Sequence, residues 1–214
     1  MQIGILGTGD VARAIGKGFV TLGHPVKLGS RDANNEKARA WAQEMGKPGL
    51  AGSFADAAAF GEVVVLATLG TASGEVLKAA GADNLRGKVL IDTTNPLGHE
   101  PGSPPKLAIS GNDSGGEQVQ RLLPGTHVVK AFNTVGNPLM FRPELPGGPP
   151  DMFICGNDEQ AKQKVGSILK DFGWGVADIG DIQGSRYLEA MCMTWVLYGI
   201  KNGTWNHAFK LLKK

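Results

Sequence analysis

Cysteine and long hydrophobic runs are both scarce in this sequence. The two cysteines, Cys155 and Cys192, are far apart and flanked by apolar residues, which is too few for a disulfide framework and the wrong spacing for zinc. We expect both to be buried thiols, and we expect no metal site. The longest apolar run, residues 191–200, is far shorter than the about 20 residues that cross a bilayer.

An excess of one charge is also missing. Lysine and arginine number 22 against 20 acidic residues, which gives a net charge of +2. The basic cluster at residues 210–214 is typical of a solvated helix end, so the charge predicts neither nucleic acid nor a membrane as partner. Strand-like sequence begins at Gln2, which leaves no charged segment and apolar stretch for a signal peptide. We therefore expect a cytoplasmic protein.

Glycine, in contrast, is abundant. It accounts for 32 of 214 residues, about twice its usual share of ~7%. These glycines show no period of three, which excludes collagen, so they must serve locally at turns and close backbone approaches. The length and the 42% hydrophobic content allow one sizeable domain, or one domain with an appendage, whose core needs no metal or disulfide.

Short apolar runs alternate with Ala-rich or charged stretches of helical period along most of the chain. This alternation predicts an α/β fold with a doubly wound, mostly parallel sheet. Strands are predicted at 2–6, 25–29, near 50, and at 63–67, 89–92, 128–131, 151–155 and 175–179; helices are predicted at 11–22, 35–45 and 158–172. The run 63–67 has no polar interruption, as expected of a central strand covered on both faces.

Turn-forming residues divide these elements. Breaks are predicted at Asp83–Asn84 and at Gly111–Gly116. Two Pro- and Gly-rich stretches, His99–Pro105 and Pro143–Pro150, are predicted to be surface loops because they cannot continue a helix or a central strand. The first of them is placed to cover a ligand.

The first predicted strand runs directly into a G-x-G-x-x-A turn that opens a helix. The first glycine permits the tight turn, the second lets a pyrophosphate approach the backbone, and the small third residue lets helix and strand pack closely. Phosphates then bind free N–H groups at the positive end of the helix. The turn predicts a dinucleotide-binding Rossmann fold, with candidate cofactor contacts at Gly7, Thr8, Gly9, Asp10 and Val11.

The tip of the second strand distinguishes NADP from NAD. An acidic residue there accepts hydrogen bonds from the ribose 2′-OH, whereas a 2′-phosphate needs cations and hydroxyl donors. Ser30 can donate to phosphate oxygens, Arg31 can pair with them or stack on adenine, and Lys37 is close enough to add charge. Asp32 comes one residue too late and is expected to face solvent or cap the next helix. The tip therefore favours NADP.

Residues that follow the other strands complete the predicted cofactor site, because ligands of a doubly wound sheet lie across the carboxyl ends of its strands. Asn95 and Asn133 are short amides that can hold a nicotinamide or ribose, and Asn133 is the candidate positioning residue. Lys130, within a strand, is expected to reach solvent. The further candidate contacts are Ala67, Thr68, Leu69, Pro96 and Ala131.

The expected organisation is a cofactor-binding Rossmann domain over residues 1–180 with a short helical extension over residues 181–214. From Arg186 to Ile200 the extension is helix-compatible and apolar on nearly every side. Such a helix must be buried all round, either under the sheet edge on the same domain or against another subunit.

A convincing proton donor is missing. We expect structural roles for the four histidines, His24, His99, His127 and His207, and the sequence offers no Tyr-x-x-x-Lys pair of the kind that carbonyl reduction uses. Hydride transfer from NADPH to a flavin-like ring needs mainly two ring faces in contact, because the acceptor manages the charge and solvent can supply a proton.

With these residues collected, the chain resembles the deazaflavin-dependent NADP oxidoreductase family, which exchanges hydride between NADP(H) and coenzyme F420. The resemblance spans nearly the whole chain and is marked by Ile3–Ala12, Leu22–Arg31, Val63–Ala67, Lys130–Thr134 and Ser185–Glu189. It implies that Thr8, Ser30, Arg31 and Lys37 hold the 2′-phosphate.

The resemblance also implies a homodimer, in which residues such as Trp195 line the acceptor site. Family members that reduce the deazaflavin can carry a histidine where this chain has Asn133. The Ala-Phe-Asn-Thr version is similar to the cytosolic domains of six-transmembrane metalloreductases, whose hydride acceptor is a flavin.

Three functions remain open at this point. The first is hydride transfer between NADPH and a small redox carrier, either F420 or FMN/FAD. The second is NADPH-dependent reduction of a small carbonyl or imine compound, which requires a proton donor such as Lys130 or a buried water. The third is a non-catalytic redox sensor that binds NADPH and signals through its C-terminal helix.

Overall fold

The fold is that of a computed structural model, which describes residues 1–98, 100 and 102–213. His99, Pro101 and Lys214, which belong to the predicted first loop and the basic tail, lie outside the described residues. Eight strands form the main sheet: β1 (Ile3–Leu6), β2 (Val26–Ser30), β3 (Gly49–Ser53), β4 (Val63–Leu66), β5 (Val89–Asp92), β8 (His127–Lys130), β9 (Asp151–Gly156) and β10 (Gly175–Asp178). Two short strands, β6 (Leu97–Gly98) and β7 (Lys106–Leu107), pair separately as an antiparallel hairpin.

The strand order of the main sheet is β10-β9-β8-β5-β4-β1-β2-β3. All neighbours are parallel except β8 and β9, which are antiparallel. The order reverses between β1 and β4, and a ligand crevice is expected outside the strand ends at such a reversal. The predicted doubly wound, mostly parallel sheet is confirmed.

Helices cover both faces of the sheet. They are α1 (Asp10–Thr21), α2 (Glu36–Met45), α3 (Phe54–Phe60), α4 (Ser73–Ala80), α5 (Ala82–Leu85), α6 (Gly115–Leu122), α7 (Glu159–Asp171) and α8 (Ser185–Asn202). Alternate residues of β4 enter two separate cores, Val63 and Val65 with α1, α2 and α7, and Val64 and Leu66 with α3, α4 and α6. The uninterrupted apolar run of β4 is explained by this burial on both sides.

Of the two predicted breaks, Asp83–Asn84 is wrong, and Gly111–Gly116 is confirmed at residues 111–114 but extends two residues too far. Asp83–Asn84 lies inside α5, where Asn84 Nδ2 donates to Ala80 O at 2.8 Å and so joins the turn to α4. Gly115 and Gly116 are the first two residues of α6, after the N-cap Ser114. Their small size is needed for packing rather than for a break, because a Cβ on Gly116 would lie 2.2 Å from Ser185 Oγ.

The predicted C-terminal helix is present, but it is not buried all round. Its inner side, including Leu188, Cys192 and Val196, is buried, while Tyr187 and Tyr198 are 73% and 53% exposed. Apolar residues on nearly every side of α8 therefore do not all face this chain's own core.

The tail after α8 is also different from the prediction of a helix end. α8 stops at Gly203, which has φ +62°, and the tail runs back to β9. Asp151 N donates to Phe209 O at 3.0 Å, and Leu211 N donates to Asp151 Oδ2 at 2.9 Å.

In the described part of the chain, no helix has both the length and the apolar character that a membrane span needs.

Candidate functional site

A cleft of about 680 Å³ lies across the carboxyl ends of β1, β2, β4 and β5. The structure brings together eleven of the predicted cofactor residues on its walls: Gly7, Thr8, Gly9, Asp10, Val11, Ser30, Arg31, Ala67, Thr68, Leu69 and Asn95. The cleft has two parts, which we call the α1 half and the β5 half. The α1 half is lined by residues 7–11, 29–31 and 35, and the β5 half by Thr93, Thr94, Asn95, Leu97 and Asn137.

The glycine turn in the α1 half has the geometry that a pyrophosphate needs. Gly7 has φ +142°, and a Cβ there would lie 2.2 Å from Ala67 O, so the turn admits no larger residue. A Cβ on Gly9 would meet no protein atom within 4 Å. No side chain caps α1, so its first N–H groups are left for a ligand. These residues fit the phosphates of a dinucleotide.

The tip of β2 presents a hydroxyl and a guanidinium to the same half of the cleft. Arg31 is exposed there, whereas Ser30 is 5% exposed and donates to Asp32 O. Asp32 Oδ1 accepts the N–H of Asn34 at 2.9 Å, so this carboxylate closes its own turn. Of the two expectations for Asp32, exposure to solvent is confirmed, and Asn35 rather than Asp32 is the N-cap of α2. Arg31 is therefore the free cation that the tip offers to a 2′-phosphate, and the Ser30 hydroxyl would have to leave Asp32 O to donate to one.

Lys37 does not line the cleft. It follows Glu36 in the first turn of α2 and is exposed, whereas Asn35, two residues earlier, reaches the wall of the α1 half. Lys37 is close to the tip of β2 in sequence. It lies inside α2, however, and the first turn of that helix takes it away from the cleft wall.

Asn133, the predicted positioning residue, is buried behind the cleft rather than in its wall. It is 3% exposed, and its Nδ2 donates to Asn95 Oδ1 at 3.0 Å and to Leu188 O at 2.9 Å. Asn95 in turn donates to Asn133 O at 2.8 Å. Each side chain thus donates to the other residue, Asn95 to the backbone carbonyl of Asn133 and Asn133 to the side-chain oxygen of Asn95, and only Asn95 reaches the cleft. Asn133 therefore contacts the site through Asn95.

Pro96 and Ala131 are also absent from the cleft wall, and both are buried. The chain turns inward after β8, where Phe132 has φ +60° and its N–H points to Met152 Sδ at 3.1 Å. Ala131 itself still continues the ladder to β5, since its N–H donates to Asp92 O at 3.1 Å, and it is fully buried there.

Lys130 does not reach solvent. Its side chain is completely buried, and its Nζ lies 2.9 Å from Asp92 Oδ2, 2.9 Å from Glu189 Oε1 and 2.7 Å from Thr94 O. Burial alone would lower the pKa of Lys130, but the two carboxylates outweigh it and raise that pKa. An ammonium held by three acceptors outside the cleft wall is not placed to protonate a substrate.

Sequence reasoning missed several wall residues: Gly29, Asn35, Phe54, Gly70, Thr93, Thr94, Leu97 and Asn137. Thr93 and Thr94 directly follow β5 and belong to the segment 93–96 that the strand-end rule selected, but only Asn95 and Pro96 of that segment were predicted as contacts. Phe54 begins α3, and Asn137 begins a short 3-10 helix. Their approach depends on how these elements pack, which no local pattern shows.

Gly70 supports the β5 half from behind, because a Cβ there would lie 2.2 Å from Asn95 O. We expect Gly70→Ala to displace the Thr94–Pro96 segment and weaken NADPH binding about ten-fold, while the affinity for 2′,5′-ADP, which lacks the nicotinamide, stays unchanged. Calorimetric titration with both ligands measures this. Gly74→Ala, whose Cβ would meet only Leu122 Cδ1 at 3.8 Å, is the control. Equal losses of affinity for the two ligands would contradict the prediction that the nicotinamide binds in the β5 half.

The three described histidines, which were predicted to have structural roles, do not line the cleft. His24 is near the amino terminus, His127 is 3.3 Å from Asp158, and the ring of His207 stacks on Trp195 at 4.8 Å. Trp195 is 8% exposed and packs beside Gly136, so it does not line the cleft.

Both cysteines are free and buried, and burial raises the pKa of each thiol to about 11. Among the described residues, no group of three His, Cys, Asp or Glu side chains could hold a metal ion.

The fold and the glycine turn define a dinucleotide-binding oxidoreductase domain, and comparison with known proteins gives the family. The model of the family "NADP oxidoreductase coenzyme F420-dependent" matches residues 2–96. A crystal structure from Arthrobacter sp. FB24, assigned as an F420-dependent NADP-reductase, is 40% identical with a TM-score of 0.92, and the match covers 99% of each chain. The chain belongs to this family. It is an NADP-dependent oxidoreductase, and NADP(H) is its cofactor.

Three further proteins are similar to this chain at lower identity. The F420-dependent NADP reductase of Methanothermobacter thermautotrophicus is 28% identical over 99% of this chain and 94% of its own length. Rat metalloreductase STEAP3 is 30% identical over 89% of this chain, which spans 36% of that protein. A reductive aminase from Aspergillus terreus has a TM-score of 0.67 at 20% identity, covering 94% of this chain and 63% of the aminase.

Proposed function

We propose that this chain transfers hydride between NADP(H) and coenzyme F420, with FMN or FAD as the alternative acceptor. The observation that carries the proposal is the chemistry of the cleft wall. Among the described residues that line it, the ionisable side chains are those of Asp10 and Arg31, and both belong to the α1 half. The β5 half offers hydroxyls, amides and apolar surface, which suit an acceptor ring that manages its own charge.

The residues of the chain act by positioning. Bound NADPH supplies the hydride. Gly7 and Gly9 seat the pyrophosphate, Ser30 and Arg31 hold the 2′-phosphate, and Asn95, fixed by Asn133, orients the nicotinamide end. Leu69, which is 78% exposed on the rim, and Leu97 supply apolar surface that excludes water once two rings are stacked. The names of the two F420-dependent relatives support this choice of acceptor.

Carbonyl reduction fits the cleft less well. A ketone needs a proton donor as it accepts hydride, and Lys130, the side chain that the sequence offered beside a buried water, is held outside the wall. A cationic imine does not have this need, so imine reduction stays as the second candidate. Nothing in the comparisons supports a non-catalytic sensor.

The test is anaerobic turnover of NADPH with separate acceptors: oxidised F420, FMN, FAD, a simple ketone and a cyclic imine. We expect loss of NADPH absorbance to be fastest with F420, accompanied by bleaching of the deazaflavin band. Fastest turnover with the imine would replace the proposal with its second candidate. Failure with every acceptor would contradict both.

Arg31 is proposed to select NADP through its charge. We expect Arg31→Ala to weaken NADPH binding by about 1–3 kcal/mol, the scale of a lost charge-assisted contact, and to leave NADH binding unchanged. Titration of both cofactors by intrinsic fluorescence measures the difference. Lys37→Ala is the matched control, because this exposed cation lies outside the wall. Equal losses for NADPH and NADH in the Arg31 variant would refute the role.

The chain is further proposed to act as a homodimer in the cytoplasm. The outer side of α8 exposes Tyr187, Leu197, Tyr198 and Ile200, and a second copy of this side would remove them from water. Two free buried thiols are typical of a reducing compartment. Light scattering of the purified protein tests the dimer, and replacing Leu197 and Tyr198 with lysine should yield monomers.

A further inference from the structure

Three charged side chains form a cluster that the proposed reaction does not use. Lys130 on β8, Asp92 at the end of β5 and Glu189 on α8 are each at most 1% exposed, and we call them the buried triad. The triad lies directly behind the wall of the β5 half, because Thr94, a wall residue, contacts two of its members. Thr94 N and Oγ1 donate to Asp92 Oδ1 at 3.0 and 2.7 Å, and Thr94 O accepts from Lys130 at 2.7 Å.

The polar contacts of the two carboxylates in the triad come from groups that donate or carry a positive charge. Glu189 Oε1 and Oε2 accept the N–H groups of Gly116 and Gly115, each at 3.0 Å, and Oε1 also lies 2.9 Å from Lys130 Nζ. Asp92 Oδ1 accepts from Thr94 N and Oγ1, and Asp92 Oδ2 lies 2.9 Å from Lys130 Nζ. Because none of these contacts requires a carboxylic proton, the triad is counted as two carboxylates and one ammonium.

The surroundings leave this net charge of −1 in place. The nearest further charges from the packed elements, Glu117 on α6 and Arg186 on α8, form a bidentate pair at 2.6 and 2.8 Å and cancel each other. Cys155 stays neutral at physiological pH, because burial raises its pKa to about 11. The start of α6 adds a partial positive charge at Glu189, which is smaller than one unit.

The net charge of the triad affects the cofactor because NADPH and NADP⁺ differ by one unit of charge on the nicotinamide ring. When NADPH gives up hydride, the C4–H bond breaks, both electrons leave with the hydrogen, and the nicotinamide ring changes from neutral to positive. A negative charge behind the ring stabilises the positive form. We infer that the buried triad tunes the bound cofactor toward NADP⁺ and so favours hydride departure. The inference rests on the proposed placement of the nicotinamide in the β5 half, but not on the identity of the acceptor.

The experiment compares the dissociation constants of NADP⁺ and NADPH, measured by equilibrium fluorescence, in Glu189→Gln and Asp92→Asn. Each variant removes one negative charge, so the dissociation constant of NADP⁺ should rise about ten-fold relative to that of NADPH. This is the scale of a unit charge about 10 Å away at an effective dielectric constant of about 20. Asp83→Asn, which neutralises an exposed carboxylate on α5, is the control and should leave the ratio unchanged.

A merely structural triad gives a different result. If the variants weaken the binding of NADP⁺ and NADPH equally, or leave both affinities unchanged, the inference is overturned, but the proposed function is not affected. If the unaltered chain binds neither form, both are overturned. Thermal unfolding of each variant, followed by circular dichroism, verifies that the binding data come from folded protein, and two variants keep the test decisive should one of them not fold.

Discussion

Replacing Gly9 with alanine is expected to weaken NADPH binding about 100-fold or more, while the free energy of unfolding of the cofactor-free protein changes by less than about 1 kcal/mol. The protein itself has room for the methyl group, since a Cβ on Gly9 meets no atom within 4 Å. The pyrophosphate would occupy that space, because the second glycine of the turn is the one that lets phosphates approach the backbone. A 100-fold loss corresponds to about 2.7 kcal/mol. Calorimetric titration with NADPH and urea unfolding measure the two quantities.

Two further variants serve as controls for the Gly9→Ala prediction. Gly147→Ala, in an exposed loop where a Cβ also meets nothing within 4 Å, should leave binding and stability unchanged. Gly7→Ala should lower both, because its Cβ would lie 2.2 Å from Ala67 O at φ +142°. If Gly9→Ala binds NADPH as tightly as the parent, the pyrophosphate does not lie on this turn.

Replacing Lys130 with methionine is expected to lower the free energy of unfolding by about 3–5 kcal/mol. The methionine fills the volume, but the carboxylates of Asp92 and Glu189 are left buried without their shared cation, and that is the costly outcome of breaking a buried ion pair. Urea unfolding monitored by tryptophan fluorescence gives the value. The double variant Lys130→Met/Glu189→Gln should recover part of the loss, because it leaves one buried carboxylate instead of two.

Lys162→Met is the matched control. Lys162 is as inaccessible as a core residue at 5% exposure, yet its partners Glu159 and Asp178 are 73% and 39% exposed. Their carboxylates remain hydrated when the cation is removed, so we expect a loss of less than about 1 kcal/mol. Equal losses at positions 130 and 162 would contradict the account of the buried triad.

The sequence was sufficient for the parts of the fold that depend on local periodicity. The alternation of apolar runs and helical stretches predicted the doubly wound sheet, and the uninterrupted run of β4 predicted a strand buried on both faces. The glycine turn and the tip of β2 were located because each lies next to the strand that positions it. Such features need no knowledge of distant contacts.

The predictions failed at residues whose positions depend on contacts with distant parts of the chain. Lys130 was expected to reach solvent because a lysine in a strand ordinarily does, and its two partners come from residues 38 and 59 positions away. Asn133 was placed in the cleft because it follows a strand, but the left-handed turn at Phe132 takes the chain inward. α8 was predicted to be buried all round, under the sheet edge or against another subunit; within this chain only its inner side is buried, and burial of its outer side by another subunit stays a prediction.

The most direct test of the central claim is a crystal structure of the chain with bound NADPH. We predict the pyrophosphate against Gly7 and Gly9 at the start of α1, the 2′-phosphate beside Ser30 and Arg31, and the nicotinamide beside Thr94 and Asn95. A complex with the 2′-phosphate far from Arg31, or with NADPH bound outside this cleft, would contradict the account.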